Sequence, residues 1–433
     1  MLPIPRTVSL DEAAKLVQEH LALQSEDGQL VIFQEAAAGN RSAVKKSKDI
    51  IKDVLEQKML TVLGFEDVCS AAEAIFRRVW GLDTLEPLYL DPEVDEIRVL
   101  CSGKVFISRK GKNQPAAVRL NPNDISRLIE RMIPYNESGV CLNEGSPMLE
   151  LVRSDGSRLT ALCSPVVKGH AFVLRKHGTI EMTPESLIKL QTLDDKVWRV
   201  LSLLVRGRRN ILISGGTNSG KTTLLKMLIG ELNPALAIRI LDTDNEIRAT
   251  ELYPDRDIIE MEAHPEVHAD MKEVFEKILR LSPDVIVVGE FRGYGEAVEA
   301  IRACTRGHNG SIATTHFSSP QEAIRGTAML MLEEGLNLSL KLAMARVAQA
   351  FNIVVQMFAD SQKGVKKITS VTEIEEDDGA VRYRELVRWE PDSPDDYLGP
   401  GKWRILSKPG DRACEAMNKH GVSIGEIEEV FTD

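Results

Sequence analysis

The fold of this chain is decided by the stretch Ile211-Leu-Ile-Ser-Gly-Gly-Thr-Asn-Ser-Gly-Lys-Thr-Thr-Leu-Leu225. Its apolar start favours a buried strand, and its end favours a helix. Between them, Gly215-Gly-Thr-Asn-Ser-Gly-Lys-Thr222 fits the pattern GxxxxGK(S/T), in which a glycine-rich loop joins a strand to a helix and cradles phosphates. Because both flanks match the motif, we interpret the stretch as a phosphate-binding loop (P-loop) rather than a chance glycine-rich turn.

The motif gives each loop residue a role. Gly215 and Gly220 allow the backbone to curl, so that its amide groups and the positive end of the helix face the phosphates. Lys221 would hold the β- and γ-phosphates of ATP, and Thr222 would bind Mg2+. The expected nucleotide-binding residues are Gly215, Gly216, Thr217, Asn218, Ser219, Gly220, Lys221, Thr222 and Thr223.

Three further β-rich runs follow the loop, at residues 237–241, 285–288 and 311–315, with helical stretches between them. This alternation predicts an α/β domain with a mainly parallel, doubly wound sheet. Ligands of such sheets collect at the carboxyl ends of the strands. We therefore expect the polar residues around these runs to join the P-loop in one site.

Four of these polar residues are candidates for catalysis. Glu246 comes shortly after the run 237–241, and Glu290 follows the run 285–288 like a Walker B acid, although the usual terminal aspartate is missing. We favour Glu246 for activating the attacking water and Glu290 for Mg2+, and the two roles remain exchangeable. His308 and His316 bracket the run 311–315, and we expect them to sense the γ-phosphate or organise the site.

The length of the chain indicates several domains, because 433 residues exceed the size at which one core stops growing, about 250–300 residues. We expect a helical extension over residues 1–60, an α+β amino domain over 61–180, the P-loop domain over 181–360, and a C-terminal hairpin and tail over 361–433. The hairpin turn is predicted at Asp377-Asp-Gly379. The clearest helix of the amino domain is predicted over residues 123–133, where one face collects the apolar residues Ile125, Leu128, Ile129, Met132 and Ile133.

Composition and charge disfavour several other classes of protein. A net charge of −11 argues against nucleic acid as a partner. No apolar run approaches the roughly 20 residues of a membrane span, and the first residues lack a secretory signal, so we expect a cytoplasmic protein. The six cysteines form no CxxC pair, which argues against a zinc ribbon or a disulfide framework.

Four motifs, in order along the chain, resemble those of the type II/type IV secretion ATPase superfamily. They are the Walker A loop at 215–223, an Asp box at Asp242-Thr-Asp-Asn-Glu246, an atypical Walker B motif at 279–293 and a His box at 307–316. In the amino domain, Gly81-Leu-Asp-Thr-Leu-Glu-Pro-Leu88 and Ser154-Asp-Gly-Ser-Arg158 are similar to the CpaF-type ATPases of Tad/Flp pilus systems.

This resemblance implies a fold and a mechanism. A RecA-like P-loop domain would follow a smaller, PAS-like amino domain that closes over the nucleotide, within a homo-hexameric ring. Arg158 and Arg175 would approach the γ-phosphate, and Arg292, in the Walker B-like motif, joins the candidate catalytic residues. The resulting motion would act on an inner-membrane platform protein from the cytoplasmic face and so drive pilus assembly or protein export.

Two departures from the family pattern weaken the assignment of roles. Leu241 stands where the Asp box usually has a glutamate, which leaves Asp242 and Glu246 as its acids, and Phe317 stands where the His box usually has a small residue. Three alternatives stay open at this point. They are a conjugation-type secretion ATPase, a GTPase or small-molecule kinase with the same loop, and a nucleotide-gated scaffold that does not hydrolyse ATP.

Overall fold

The computed structural model describes residues 6–23, 27–133, 140–176, 183–242, 246–264, 269–291 and 296–432. The chain divides into two compact units, Met1–Glu181 and Met182–Asp433. Within those described ranges, no helix is both long enough and apolar enough to cross a lipid bilayer.

The first part of the amino unit is a helical layer with its own core. Phe33, Ile51 and Ile75 are buried together there, so this core continues past residue 60 into the fourth helix. Its third helix begins where the Asn40 side chain accepts a hydrogen bond from the Ala43 amide at 3.1 Å, an N-terminal cap. The elements are β1 (Arg6–Val8), α1 (Leu10–Leu23), α2 (Asp27–Ala37), α3 (Arg41–Gln57), β2 (Leu60–Val62) and α4 (Val68–Val79), with β1 and β2 paired in parallel.

The rest of the amino unit is an α+β layer. Its six strands form an antiparallel sheet in the order β5-β4-β3-β8-β7-β6. The elements are a 3-10 turn (Asp83–Leu85), α5 (Glu86–Leu90), β3 (Val94–Val99), β4 (Lys104–Arg109), β5 (Lys112–Arg119), α6 (Pro122–Met132), β6 (Met148–Val152), β7 (Arg158–Leu162) and β8 (Ala171–Arg175). Helix α6 buries the predicted stripe against this sheet, namely Ile125, Leu128, Ile129 and Met132, whereas Ile133 follows the helix and is half-buried.

The second unit carries the P-loop. Its helices are α7 (Pro184–Lys189), α8 (Asp195–Arg206), α9 (Lys221–Glu231), α10 (Ala249–Leu252), α11 (Met271–Ile278), α12 (Glu296–Thr305), α13 (Pro320–Glu333), α14 (Leu340–Ala350), α15 (Asp411–Lys419) and α16 (Ile424–Thr432). Its strands are β9 (Ile211–Gly215), β10 (Ile238–Leu241), β11 (Ile258–Met261), β12 (Val285–Val288), β13 (Ile312–Thr315), β14 (Ile353–Asp360), β15 (Val365–Asp377), β16 (Ala380–Pro391) and β17 (Gly401–Ile405).

The strands of this unit form one sheet in the order β11-β10-β12-β13-β9-β14-β15-β16-β17. The strands from β11 to β14 are parallel, whereas β14 to β17 pair antiparallel, so the sheet is mixed. The prediction of parallel strands is correct for the part around the P-loop. It missed the antiparallel extension, because the tight turn at Asp378 and Gly379 shows that β15 and β16 form a hairpin but not that β15 pairs with β14.

Both faces of the parallel part are covered. Ile211 and Ile213 lie in a core shared with α8 and α9, whereas Leu212 lies in a core shared with α11 to α14. Alternate residues of β9 point to opposite faces, and because both faces are buried the strand is apolar throughout its first three residues. This arrangement fixes β9 rigidly at the centre of the sheet, with the P-loop at its carboxyl end.

Candidate functional site

The P-loop has the backbone that its glycines predict. Asn218 and Gly220 adopt left-handed conformations with φ of 61° and 93°, and Gly220 is the N-terminal cap of α9. At Gly215, a Cβ atom would lie 2.6 Å from the Met357 carbonyl oxygen and 2.7 Å from the Ser219 hydroxyl. A side chain therefore does not fit at Gly215, and one at Gly220 would be strained.

Lys221 is buried at 6% exposure although its side chain carries a charge. Its ammonium donates to the carbonyl oxygens of Gly215 and Gly216 at 3.0 and 3.1 Å and lies 3.1 Å from Nδ1 of His316. An ammonium group can only donate, so Nδ1 of His316 accepts. The structure therefore brings His316 to the P-loop, at the strand end where the sequence placed it.

His316 also connects Lys221 to Glu290. Because Nδ1 accepts, the proton of the neutral imidazole is on Nε2. That nitrogen contacts Oε1 of Glu290, whose side chain is 13% exposed. Lys221, His316 and Glu290 thus form one continuous chain of polar contacts from the phosphate loop to the end of β12.

Glu246 contacts Thr222, the loop residue that is expected to bind Mg2+. The Thr222 hydroxyl donates to Oε2 of Glu246 at 3.2 Å. Nearby, the buried Asp242 accepts a hydrogen bond from the Ile247 amide at 2.7 Å, which holds the residue after Glu246. A Cβ at Gly289 would lie 2.7 Å from Oδ1 of Asp242, so glycine at that position lets the ends of β10 and β12 approach each other.

A second lysine of α9 faces the same acids. Lys226 lies about one helical turn after Thr222. Burial lowers the pKa of Lys226, while the negative charges of Glu246 and Asp242 raise it. The net effect lowers the pKa, and the amino group of Lys226 is close enough to both acids of the Asp box to interact with their charges.

His308 is not brought to the P-loop. It precedes β13, and its Nδ1 lies 2.9 Å from the carbonyl oxygen of Pro283, which precedes β12. The starts of parallel strands share the edge of the sheet opposite to the P-loop, roughly 13 Å away for a four-residue strand. The expectation that His308 acts at the γ-phosphate does not agree with this position, because only residues that follow a strand reach the P-loop edge.

Arg158 and Arg175 lie in neighbouring strands of the amino unit. Arg158 begins β7, Arg175 ends β8, and the antiparallel register places them directly opposite each other. Cross-strand partners share one face of a sheet, so both arginine side chains leave the sheet on the same face. The third candidate arginine, Arg292, lies outside the described residues.

Sequence reasoning missed one group of supporting residues. Gln356 of β14 and the Ser214 hydroxyl both donate to the Phe317 carbonyl oxygen at 2.9 Å. The Phe317 ring packs against Gly326 of α13, where no space is left for a side chain. Gly326 thus explains how a large residue can follow His316, and a glycine inside a helical pattern is the sequence signal that could have indicated this contact.

The oxygen donors of the site fit a magnesium ion. Mg2+ prefers oxygen ligands and usually takes only one or two from the protein, with the remainder from phosphates and water. The Thr222 hydroxyl and the carboxylates of Glu246 and Glu290 are donors of this kind. No cluster of three or more His, Cys, Asp or Glu side chains in the described part of the chain could hold a metal ion by itself.

The geometry agrees with a comparison to known families. The family model described as Type II/IV secretion system protein matches residues 84–389, which includes all four motifs. This chain belongs to that family. The resemblance inferred from the motifs is therefore confirmed at the level of the type II/IV secretion superfamily.

The chain is also similar to individual proteins and to a solved structure. Conjugal transfer protein TrbB of Rhizobium radiobacter is 27% identical over 289 residues, which are 66% of this chain and 85% of that protein. Type IV secretion system protein PtlH of Bordetella pertussis is 29% identical over 280 residues, 58% of this chain and 81% of that one. The pilus retraction motor PilT with bound ADP aligns with a TM-score of 0.47 and 17% identity, over 81% of this chain and 88% of that structure.

Proposed function

We propose that this secretion-family chain is an ATP hydrolase. One observation carries the proposal, namely that both chemically active residues of the P-loop are tied to further side chains. Lys221 contacts His316, which contacts Glu290, and Thr222 contacts Glu246. Hydrolysis needs groups that orient water and balance charge around the γ-phosphate, and these are groups of that kind.

In the proposed reaction, water attacks the γ-phosphorus in line. The bond from that phosphorus to the bridging oxygen breaks, ADP leaves with the bonding electron pair, and a carboxylate accepts the proton that the water loses. Lys221 and the loop amides stabilise the charge that spreads over the phosphate oxygens. Mg2+, when bound beside Thr222, would neutralise phosphate charge.

The contacts favour one distribution of the two acidic roles. Glu246 touches the Thr222 hydroxyl, the expected metal ligand, so we assign Glu246 to the metal side of the site. Glu290 touches His316 instead, and through it Lys221, so we assign Glu290 to the attacking water. The sequence alone favoured the opposite assignment, with Glu246 activating the water and Glu290 binding Mg2+.

His316 would link the binding of the nucleotide to Glu290, the proposed catalytic base. The Lys221 ammonium donates to two loop carbonyl oxygens and to Nδ1 of His316. An arriving γ-phosphate competes for the same ammonium, because phosphate is a stronger acceptor than neutral imidazole. The freed Nδ1 can then accept a hydrogen bond from a water molecule, while Nε2 keeps its contact with Glu290.

We further propose that Arg158 and Arg175 supply positive charge to the γ-phosphate when the amino unit, with its PAS-like sheet, closes over a RecA-like P-loop unit. Their opposed positions in β7 and β8 support this, because they can act on one anion together. An added arginine is worth about 10³–10⁵ in rate in comparable phosphoryl transfers. Arg158→Ala should lower the hydrolysis rate at saturating ATP far more than Arg127→Ala, an exposed arginine on α6; equal rates in the two variants would refute the role.

The system that the chain serves has two candidates. The motifs around Gly81 and Arg158 favour a CpaF-type ATPase of a Tad/Flp pilus, whereas the names of TrbB and PtlH favour conjugation or type IV secretion. Deletion of the gene, followed by assays of surface pili and of DNA transfer, separates them. Loss of pili alone supports the first candidate, and loss of transfer alone supports the second.

We also propose a homo-hexamer that contacts an inner-membrane platform protein from the cytoplasmic face. The family description, Type II/IV secretion system protein, supports a role within a secretion assembly, and the hexamer is what the resemblance of the motifs implies. Light scattering of the purified chain with a non-hydrolysable ATP analogue should give six times the monomer mass of 48.0 kDa. A monomer at all concentrations would contradict the ring.

The hydrolase itself is tested by phosphate release from purified protein with ATP or GTP. The wild type should release phosphate from ATP, and Lys221→Ala should reduce release to background because the phosphate charge loses its main partner. Release from GTP alone would favour the GTPase alternative. Tight ATP binding by wild type with no release would favour the non-hydrolysing scaffold.

A further inference from the structure

The hairpin of β14 and β15 continues past the strand end at which the P-loop begins. Met357 of β14 pairs with Gly215, the last residue of β9. Beyond this pair β14 runs on to Asp360, and β15 returns from Val365, so that Ala359 lies opposite Lys366. The tip of the hairpin therefore stands beside the P-loop rather than behind it.

Lys366 of this hairpin lies beside Gly220 of the P-loop. A Cβ atom built on Gly220 would lie 3.7 Å from Cδ of Lys366 and 3.5 Å from Cε of Met357. Gly220 is the cap of α9, whose first amides are expected to face the phosphates. The ammonium is two bonds beyond Cδ, about 2.5 Å farther out at ordinary bond lengths. The aliphatic part of Lys366 thus lies beside the loop, where a side chain on Gly220 would touch it, and its stem is long enough for the ammonium to reach a bound phosphate.

The position of Lys366 also indicates which phosphates it would reach. Glu246, Glu290 and His316 follow β10, β12 and β13, which lie on one side of β9 in the sheet, whereas the hairpin lies on the other side. A nucleotide whose γ-phosphate points toward Glu290 and His316 has its α- and β-phosphates nearer to the hairpin. Lys366 is therefore placed to contact the α- and β-phosphates, which ATP and ADP share.

Neighbouring lysines of the same hairpin have other environments. Lys367 is buried, with its ammonium 3.7 Å from the ring centre of Trp389, and successive strand residues point to opposite faces. Lys363 is exposed and forms an ion pair with Asp396 at 2.7 Å. Of these three lysines, Lys366 is the one whose stem lies beside Gly220 of the P-loop.

We propose that Lys366 is a second nucleotide-binding cation, which contacts the α- and β-phosphates from the hairpin side. The inference rests on the proposed function in so far as the P-loop must bind a nucleotide. It adds a residue from a segment outside the four motifs. It also explains how nucleotide binding could affect the antiparallel part of the sheet, since Lys366 is in β15.

The test compares the affinities of the full-length chain for ATP and for ADP. In Lys366→Met, which keeps the length of the aliphatic stem, both dissociation constants should rise about 10-fold, because a charge-assisted hydrogen bond to phosphate is lost. Lys366→Arg should restore most of the affinity. Isothermal titration at two salt concentrations should show a weaker salt dependence in Lys366→Met than in wild type.

Lys363→Met is the matched control, since it removes a lysine of the same hairpin that pairs with Asp396. It should leave both affinities at the wild-type value. Unchanged ADP affinity in Lys366→Met, or a loss confined to ATP, would overturn the inference while leaving the P-loop ATPase intact. Failure of the wild type to bind either nucleotide would instead overturn the proposed function.

Discussion

The two edges of the parallel sheet in the second unit carry polar residues in different environments. At the edge of the P-loop, side chains contact other side chains, as in the pairs Lys221 with His316, His316 with Glu290, and Thr222 with Glu246. At the opposite edge, the side chains of Asn210 and His308 contact the backbone. The contacts among Lys221, His316 and Glu290 can rearrange around a substrate, whereas the backbone hydrogen bonds of Asn210 hold the fold.

The second edge shows this clearly. Asn210, which is buried, accepts hydrogen bonds from the amides of Gly310 and Ser311 and donates to the carbonyl oxygens of Cys304 and Ala350. His308 likewise contacts a backbone carbonyl oxygen. This network fixes the starts of β9, β13 and β14, and it leaves Asn210 no polar atom for a ligand.

The largest expected effect is at the P-loop edge. Glu290→Gln should lower the rate of ATP hydrolysis about 10³-fold, because an amide cannot accept the proton of the attacking water. The affinity for ATP should stay within about threefold of wild type, since the amide keeps the shape of the side chain. Phosphate release and ATP titration measure the two quantities on the same preparation.

Glu246→Gln is the comparison that fixes the roles of the two acids. On the metal side of the site, this change should mainly raise the Mg2+ concentration needed for half-maximal hydrolysis. A loss of rate at saturating Mg2+ as large as that of Glu290→Gln would contradict our assignment and favour Glu246 as the base.

The next largest effect is a difference in hydrolysis rate between variants of the two histidines that bracket β13. His316→Ala should lower hydrolysis by about 10- to 100-fold, since the contact chain from Lys221 to Glu290 is broken. His308→Ala should stay within about twofold of wild type, because His308 contacts the Pro283 carbonyl at the other edge. Rates measured at saturating ATP test both, and equal losses would remove the distinction between the edges.

The sequence predicted the P-loop and its supporting strand well, because a local pattern of glycines and apolar residues sets that backbone. It also placed Glu290 and His316 correctly beside the loop, since each follows a parallel strand. His308 was misplaced because a residue that precedes a strand lies at the far edge. The contacts of Gln356 and Lys366 come from the pairing of β14 with β9 and β15, and no local pattern reports which strands are neighbours.

The Asn210 network predicts a loss of stability without a loss of chemistry. Asn210→Ala leaves two amides and two carbonyl oxygens without their side-chain partner, and each buried unsatisfied group costs about 1–3 kcal/mol. Some of these groups will find water, so we expect a loss of about 2–4 kcal/mol in the free energy of unfolding. Urea denaturation measures this loss, and phosphate release per folded molecule should stay near wild type.

Asn210→Asp is the matched variant. It keeps the acceptor for the amides of Gly310 and Ser311 but places an anion against the carbonyl oxygens of Cys304 and Ala350. It should therefore also be destabilised. Wild-type stability in both variants would show that the backbone bonds of Asn210 do not hold this edge.

The smallest effect is a change in thiol reactivity at the same edge. Burial raises the pKa of Cys304 to about 12, so at pH 8 only about one thiol in 10⁴ is in the reactive thiolate form. A maleimide reagent should label the exposed Cys69 and Cys141 of the native protein within minutes but leave Cys304 unmodified. In Asn210→Ala, which lacks the bond to the Cys304 carbonyl, labelling of Cys304 should become measurable because local opening is easier. Peptide mass spectrometry reads each site separately, and rapid labelling of Cys304 in the wild type would show that this edge opens readily and would contradict the prediction.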